Sequence, residues 1–392
     1  MKAVVHFGMP KTGSTAIQSW LIANQEALAE KGVVYDRLHF GSHQRGIANE
    51  GLFITMKDMV GALVGNKWIK LNFGLYSLEE QHEVVTEFRS YFDTLMKQVS
   101  GDVMVFSSEF LGGTMVASDQ ITALDSWLSE YFEEVTYLVY LRRQEDWLPS
   151  SYSQRVKRGV QSTLDEVIDA AGEQDWHAKV AVWAAVVGRE RLSVRLLERE
   201  FLAQGDLLED FAQQLGITAE GMEQPARNNE ALSAPATLLL AEINKLESAT
   251  DETNRKRNPL RQPLHKAILQ DSGEGMPKIK LTAQQVQKIR DVNADSNEQL
   301  RQAFLPDIKE LFPARKVPDP QMSTPEDVAT LAARLMVQLQ VRHRKTLLDK
   351  NQQLAAQREK IKELAAVAKE AQKQLAENER RNLFKRLLRK LS

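Results

Sequence analysis

The 392-residue chain contains no cysteine. Disulfides, thiolate metal sites and cysteine nucleophiles are excluded, and the absence fits a reducing compartment. Neither sign of charge is in excess, with 51 Lys and Arg against 53 Asp and Glu. A nucleic-acid binder normally shows a basic surplus, so nucleic acid is not an expected partner. No apolar run approaches the ~18 residues of a membrane-spanning helix, and the first strand starts at once, leaving no room for a signal peptide. The expected location is cytoplasmic. The seven histidines are scattered without an H-E-x-x-H or comparable spacing, so no metal site is expected. A Ser/His/Asp hydrolase needs a G-x-S-x-G elbow, and Gly13-Ser14 lacks its flanks. What remains, at 43% hydrophobic and 27% charged, suffices for one large α/β domain and an accessory piece.

The most informative stretch is the first. Ala3-Val4-Val5-His6-Phe7 is a short apolar run, Gly8-Met9-Pro10-Lys11-Thr12-Gly13-Ser14-Thr15 is a turn, and Ala16-Ile17-Gln18-Ser19-Trp20-Leu21 begins a helical pattern. Strand, loop and helix in that order aim the free amides and the positive dipole end of the helix into the loop. Gly8 and Gly13 allow close backbone approach, Lys11 adds a point charge, and Thr12, Ser14 and Thr15 add hydroxyl donors. A set made only of donors calls for a compact anion. A Walker loop carries its lysine just after the second glycine. Here Ser14 holds that position and the lysine lies inside the loop, at Lys11. An ordinary glycine turn with a surface lysine would use the same residues.

Strand and helix patterns alternate along the next two hundred residues. Helices are expected over Ala16–Lys31, about Leu52–Val64, Leu78–Gln98, Ile121–Phe132, from about Glu145, and over Leu164–Ala170 and Trp176–Val186. Strands are expected at Val33–Tyr35, Asp102–Ser108, Val135–Leu141 and Arg191–Leu197. This alternation predicts an α/β fold with a P-loop-like parallel sheet flanked by helices. Ligands of such sheets bind beyond the carboxyl ends of the strands, where Lys11 and Arg142 both fall.

The second signal is Tyr140-Leu141-Arg142-Arg143, followed by Gln144 to Tyr152. Arg142 offers a planar fork to a phosphate, and Ser150, eight residues on in the next helix, offers a hydroxyl. Arg143, by alternation, should face the other side of the strand end. With Lys-Thr-Gly-Ser-Thr in the first loop, these residues resemble the PAPS-dependent sulfotransferases (PAPS is 3′-phosphoadenosine 5′-phosphosulfate). Supportive matches are Val194 to Arg199, Gly205 to Leu208, Arg227 to Ser233, and Asn297 with Phe304-Leu305-Pro306. The resemblance covers about residues 1–312, and only the loop and the Arg/Ser pair are specific.

The resemblance implies that Lys11, Thr12, Gly13, Ser14 and Thr15 hold the 5′-phosphosulfate, and that Arg142 and Ser150 hold the 3′-phosphate. The implied activity is transfer of a sulfuryl group from PAPS, a small-molecule nucleotide donor, to an acceptor hydroxyl. The family points to a carbohydrate acceptor. Such transfer needs a base for the acceptor's proton and positive charge on the leaving oxygen. Lys11 is the candidate for the charge. For the base, Glu109 directly follows the Val103–Ser108 strand, and His43 is the alternative. The rival readings are a P-loop nucleotide kinase or NTPase and a non-catalytic coiled-coil scaffold. The first is disfavoured by Ser14 at the Walker position and by the lack of an obvious magnesium-holding Asp.

Residues 313–326 carry four prolines and read as a linker, and 327–392 as a helical coiled-coil tail. Leu347, Leu354, Ile361, Ala368 and Leu375 fall seven apart, with Leu364 and Ala371 as companions. Lys350 and Gln357 interrupt the earlier companion positions, so the coiled coil is modest. Self-association and packing on the chain's own domain are both open. At the end, Arg380, Arg381, Lys385, Arg386, Arg389 and Lys390 interleave with Leu383, Phe384, Leu387, Leu388 and Leu391. That pattern suits the inner face of an anionic membrane or an acidic partner, and equally a solvated helix end. For membrane contact, deleting Asn378 to Ser392 is expected to abolish co-sedimentation with anionic vesicles, and unchanged co-sedimentation would remove the idea.

Overall fold

A computed structural model describes residues 1–43, 48–113, 116–171, 174–225, 232–247, 250–251, 256–258, 261–270, 276–315, 317 and 323–391. The chain opens with β1 (Lys2–Phe7), α1 (Ser14–Ala23), α2 (Gln25–Ala29) and β2 (Val33–Tyr35). Three helices, α3 (Glu50–Met59), α4 (Lys67–Phe73) and α5 (Leu78–Gln98), lead to β3 (Val103–Ser108). The short α6 (Glu109–Gly113) and α7 (Ser118–Leu128) lead to β4 (Glu134–Leu141). Then α8 (Gln144–Lys157), α9 (Leu164–Ala171) and α10 (Trp176–Val187) precede β5 (Leu192–Leu196). The remainder is α11 (Leu207–Gln214), α12 (Ala234–Leu246), a two-residue pairing of β6 (Thr250–Asp251) with β7 (Lys256–Arg257), α13 (Gln262–Gln270), α14 (Ala283–Phe304) and α15 (Pro325–Leu391).

The first five strands form one parallel sheet in the order β2-β3-β1-β4-β5. Helices cover both faces, so the strands are buried on both sides. In β1, Ala3, Val5 and Phe7 join the larger core under α3, α5, α7 and α10, where Phe92, Trp127 and Trp183 pack. His6 turns to the opposite face, edge-on to Tyr140 and Phe211, within the smaller core of Trp20 and Leu21. Period-two alternation makes the division. The expected α/β fold, a parallel sheet flanked by helices, is the one observed.

Local boundaries differ where tertiary bonds intervene. The helix expected over Ala16–Lys31 breaks at Asn24, whose backbone leaves the helical region at φ −113°, ψ 21°. The Asn24 side chain donates to the Glu223 carbonyl at 2.9 Å and accepts the Glu223 amide at 2.8 Å. That two-way pairing with a distant backbone draws the residue out of line. The helix expected to reach Val64 stops at Met59, and the Val64 amide instead donates to Gln81 of α5 at 2.8 Å. The α4 helix was not expected. Its amides at Trp68 and Ile69 are capped by the Asn66 side chain.

The last helix begins at Pro325, within the stretch expected to be linker. Its first turns pack on α12 and α13, with Leu331 and Leu335 buried in the main core. Farther along, Leu347, Leu354, Ile361, Leu364 and Leu375 are exposed. Arg227 to Ala231, position 316 and positions 318–322 lie outside the described residues, as do the side chains of 382 and 384–391. Among the described residues, no helix is long and apolar enough to cross a membrane.

His6 gives the core a measurable pH dependence. The ring is fully buried, and its Nδ1 pairs with Ser107 Oγ at 2.9 Å. Burial pushes its pKa down from 6.5 to about 3. Between those values the unfolded chain binds a proton that the folded chain refuses, so stability falls as pH is lowered. The limiting slope is about 1.4 kcal/mol per pH unit. In urea titrations from pH 7 to pH 4.5, His6→Phe should lose less stability than the parent chain. Equal acid sensitivity would count against the buried neutral histidine.

Candidate active site at the carboxyl ends of the strands

The loop between β1 and α1 holds its shape by internal bonds. Lys11 has φ 64°, a left-handed backbone that costs a non-glycine residue ~1 kcal/mol. Gly13 follows at φ 93° as the residue before α1, a conformation suited to glycine. The Thr12 hydroxyl donates to the Met9 carbonyl at 2.7 Å, and the Ser14 hydroxyl reaches the same oxygen at 3.4 Å. Both hydroxyls therefore brace the loop, which leaves backbone amides as these two residues' outward donors. Thr15 is exposed at the start of α1. Trp147 of α8 closes the back of the loop, its indole N–H donating to the Pro10 carbonyl at 2.6 Å.

The sheet order explains why Arg142 meets this loop. β1 lies between β3 and β4, so the chain passes to one side of β1 through β2 and β3 before returning to β4 on the other. The carboxyl end of β1 is thus a topological switch point, where loops diverge and a crevice opens. Arg142 follows β4 and donates from Nη1 to the Lys11 carbonyl at 3.3 Å. Its own carbonyl accepts the Trp176 indole N–H at 3.0 Å, which fixes the strand end. Lys11, Gly13 and Arg142 line a cleft of about 750 Å³ together with Asp146, Leu197, Glu198, Arg199 and Arg315. Ser150 is half-buried on α8, one turn beyond Asp146. Burial lowers the pKa of Arg142, with Arg315 adding to the effect while Asp146 and Glu198 oppose it.

Arg143 points the other way, as alternation predicts. It is 1% exposed and pairs with Glu198 at 3.2 Å and Glu145 at 3.5 Å. It is a packing residue of the strand end.

Glu109 opens α6 immediately after β3, whose last residue, Ser108, is paired with Phe7. α6 lies hard against the loop, since a Cβ on Gly112 would fall 2.8 Å from the carbonyl oxygens of Phe7 and Gly8. Burial lowers the pKa of Lys11, helped by Lys157, Arg142 and Arg158 and opposed by Glu109. Arg158 also stands 3.6 Å from Glu109. Lys11, Arg142 and Glu109 are therefore neighbours in one electrostatic environment. His43 sits elsewhere, stacked on Phe73 at 4.7 Å and tilted against Phe40 at 5.1 Å. Burial lowers its pKa, and the carboxylate opposing that shift is Glu87.

Several polar neighbours of these residues were not singled out by the sequence pattern. Glu50 opens α3, and burial, with Glu109 adding to it, raises its pKa. Asn49 positions it from a left-handed backbone at φ 43°, accepting from the Ser107 amide at 2.8 Å and donating to the Asp36 carbonyl at 3.1 Å. Lys157 could have been found, because it lies two turns beyond Ser150 on one helix. Arg199 and Arg315 could not, since their place depends on the packing of separate segments. Among the described residues, no group of three or more metal-ligating side chains is present.

No family model matches the chain. An uncharacterized protein from Archaeoglobus fulgidus is 32% identical over 107 residues, which are 27% of this chain and 29% of that protein. The match thus spans less than a third of that relative's length. A sulfotransferase structure from Alicyclobacillus acidocaldarius is similar at a TM-score of 0.35 and 15% identity, over 58% of this chain and 85% of the other.

The Trp147 bond to the loop gives a direct test of how the site is held. Trp147→Phe should cost about 1 kcal/mol in urea unfolding by stranding the Pro10 carbonyl. It should also speed tryptic cleavage after Lys11. Unchanged cleavage would mean that the loop is held by its internal bonds alone.

Proposed function

We propose that the protein is a PAPS-dependent sulfotransferase that passes a sulfuryl group to an acceptor hydroxyl, with carbohydrate as the leading acceptor class, and releases 3′-phosphoadenosine 5′-phosphate. The observation that carries this reading is the meeting of Lys11 and Arg142 in one cleft at the switch point, with Ser14 at the Walker lysine position. In this reading the amides of Thr12 to Thr15 and the Lys11 ammonium hold the 5′-phosphosulfate, at the amino end of α1. Arg142 and Ser150 take the 3′-phosphate from the side of β4 and α8. Two phosphate subsites of this kind suit a nucleotide charged at both ends of its ribose.

The acceptor oxygen attacks sulfur as the bond from sulfur to the 5′-phosphate oxygen breaks. Its proton passes to the Glu109 carboxylate, and Lys11 stabilises the charge developing on the departing oxygen. Lys11 is suited to that task by burial, which strengthens its field by excluding water. Glu109 is suited by its place at the end of β3, within electrostatic reach of Lys11. His43, packed against Phe40 and Phe73, is the weaker candidate for the base.

Calorimetry should show tight binding of 3′-phosphoadenosine 5′-phosphate without metal and none of ATP with magnesium. The opposite preference would favour a kinase or NTPase, and binding of neither would favour a scaffold. With labelled PAPS and a panel of acceptors, Lys11→Ala should lower transfer by roughly a hundredfold or more while the urea midpoint stays within about 1 kcal/mol of the parent. Full activity in that variant would overturn the role given to Lys11.

A further inference from the structure

The last helix, α15, leaves the domain soon after it begins. Leu331 and Leu335 are buried in the main core, Leu339 packs against it, and Arg342 donates to the Gln270 side chain at 2.9 Å. From there the helix runs on alone, and every residue from 341 to 381 is exposed. At a rise of about 1.5 Å per residue, that stretch is roughly 60 Å long. Packing on the chain's own domain therefore does not cover it. A solvated helix of this length is expected to rest on many ion pairs along its surface. Among the described residues between 341 and 381, the one ion pair is Lys362 with Glu359 at 2.7 Å.

What the stretch carries instead is an apolar seam. Leu347, Leu354, Ile361 and Leu375 lie on one row of seven-residue spacing, with Leu364 on the companion row, and all five are 47% to 65% exposed. Ala368 and Ala371 continue the two rows with small side chains. With Leu347 at the first position of a heptad, the charges fall into place. Lys362, Glu363, Lys369, Glu370, Lys373 and Glu377 are the charged residues between Ile361 and Asn378, and all take outer positions away from the seam. The positions flanking the seam over that length are Ala365, Val367, Gln372 and Gln374, none of them charged. Flanking positions normally set partner choice through opposite charges. Here they select no different chain, and they oppose no like charges when the chain meets itself.

We propose that this seam pairs with the same seam of a second copy of the chain, in a two-stranded coiled coil whose tightest part is residues 361–375. Coiled-coil partners must carry the same repeat over the same length, which a second copy does by symmetry, and two-fold pairs are the commonest closed assembly of a single chain. Lys350 and Gln357 hold the companion row nearer the domain, so pairing weakens there. Burial of the seam supplies the packing on which helix stability in water mostly depends. The inference concerns residues outside the sheet and does not depend on the sulfotransferase reading. Each pair of chains carries two clefts, joined through one pair of helices.

The test is sedimentation equilibrium of the full-length chain at micromolar concentration, which should give twice the chain mass. Ile361→Gln combined with Leu364→Gln keeps good helix formers in place while removing the centre of the seam. This double variant should raise the dissociation constant roughly a hundredfold or more and return the single-chain mass. Glu363→Gln, on an outer position, should stay within about threefold of the parent. Far-ultraviolet circular dichroism should show less helix in the double variant, because α15 loses its cover, while the urea transition of the domain is unchanged. A single-chain mass for the parent would overturn the inference. So would a pair that survives the double variant with an unchanged dissociation constant, since another surface would then hold it. Equal weakening by Glu363→Gln and by the double variant would also count against the seam.

Discussion

Lys11 and Arg142 are like charges held side by side, and much of the surrounding structure keeps them there. Their repulsion is borne by a covalent and hydrogen-bonded frame: parallel strands carry each to the same edge, and the Arg142 guanidinium donates to the Lys11 carbonyl. Two indoles pin the backbone on either side, Trp147 at Pro10 and Trp176 at Arg142. Lys157 and Arg158 add further positive charge, and Glu109 offsets part of it. Burial lowers the pKa of both cations, as expected for charge gathered out of water. Such a crevice is unfavourable to assemble.

The carboxylates nearby fall into two sets with different consequences. Glu145 and Glu198 engage Arg143, one side of the strand end, and belong to the packing that joins β4, α14 and the segment after it. Glu109 and Glu50 gather on the other side, where α6 and α3 begin. The first set neutralises a buried arginine. In the second, Glu109 opposes the lowering of the Lys11 pKa and adds to the raising of that of Glu50. The likenesses to other proteins are short or remote, so the reading depends on this division of charge within the site itself.

Much of the site was legible because its local signals are short in sequence. Glycine spacing, the displaced lysine and the strand-to-helix order of residues 3–21 are all contiguous, and Arg142 with Ser150 spans only two helical turns. The reading of Arg143 as facing away also needed only strand alternation. Other features were not legible. Asn24 breaks a periodic helix because its partner is Glu223, far along the chain. Thr12 and Ser14 read as outward hydroxyl donors, yet both turn to the Met9 carbonyl. The start of α15 lies in proline-containing sequence, where packing of Leu331 and Leu335 on α12 and α13 outweighs the weak local signal.

By itself, the sequence determined a parallel α/β sheet, a turn with two glycines and a lysine after its first strand, and an arginine at the end of a later one. Apolar periodicity and turn chemistry act over a few residues, so they can be read without the fold. Only the tertiary structure decided that these two ends adjoin, because strand order is a property of the whole sheet. It also decided that Glu109 shares the electrostatic environment of Lys11, that His43 packs against two phenylalanine rings, and that Arg315 enters the cleft and pairs with Asp146. Those placements arise from contacts between segments tens to hundreds of residues apart, whose energies no local pattern records.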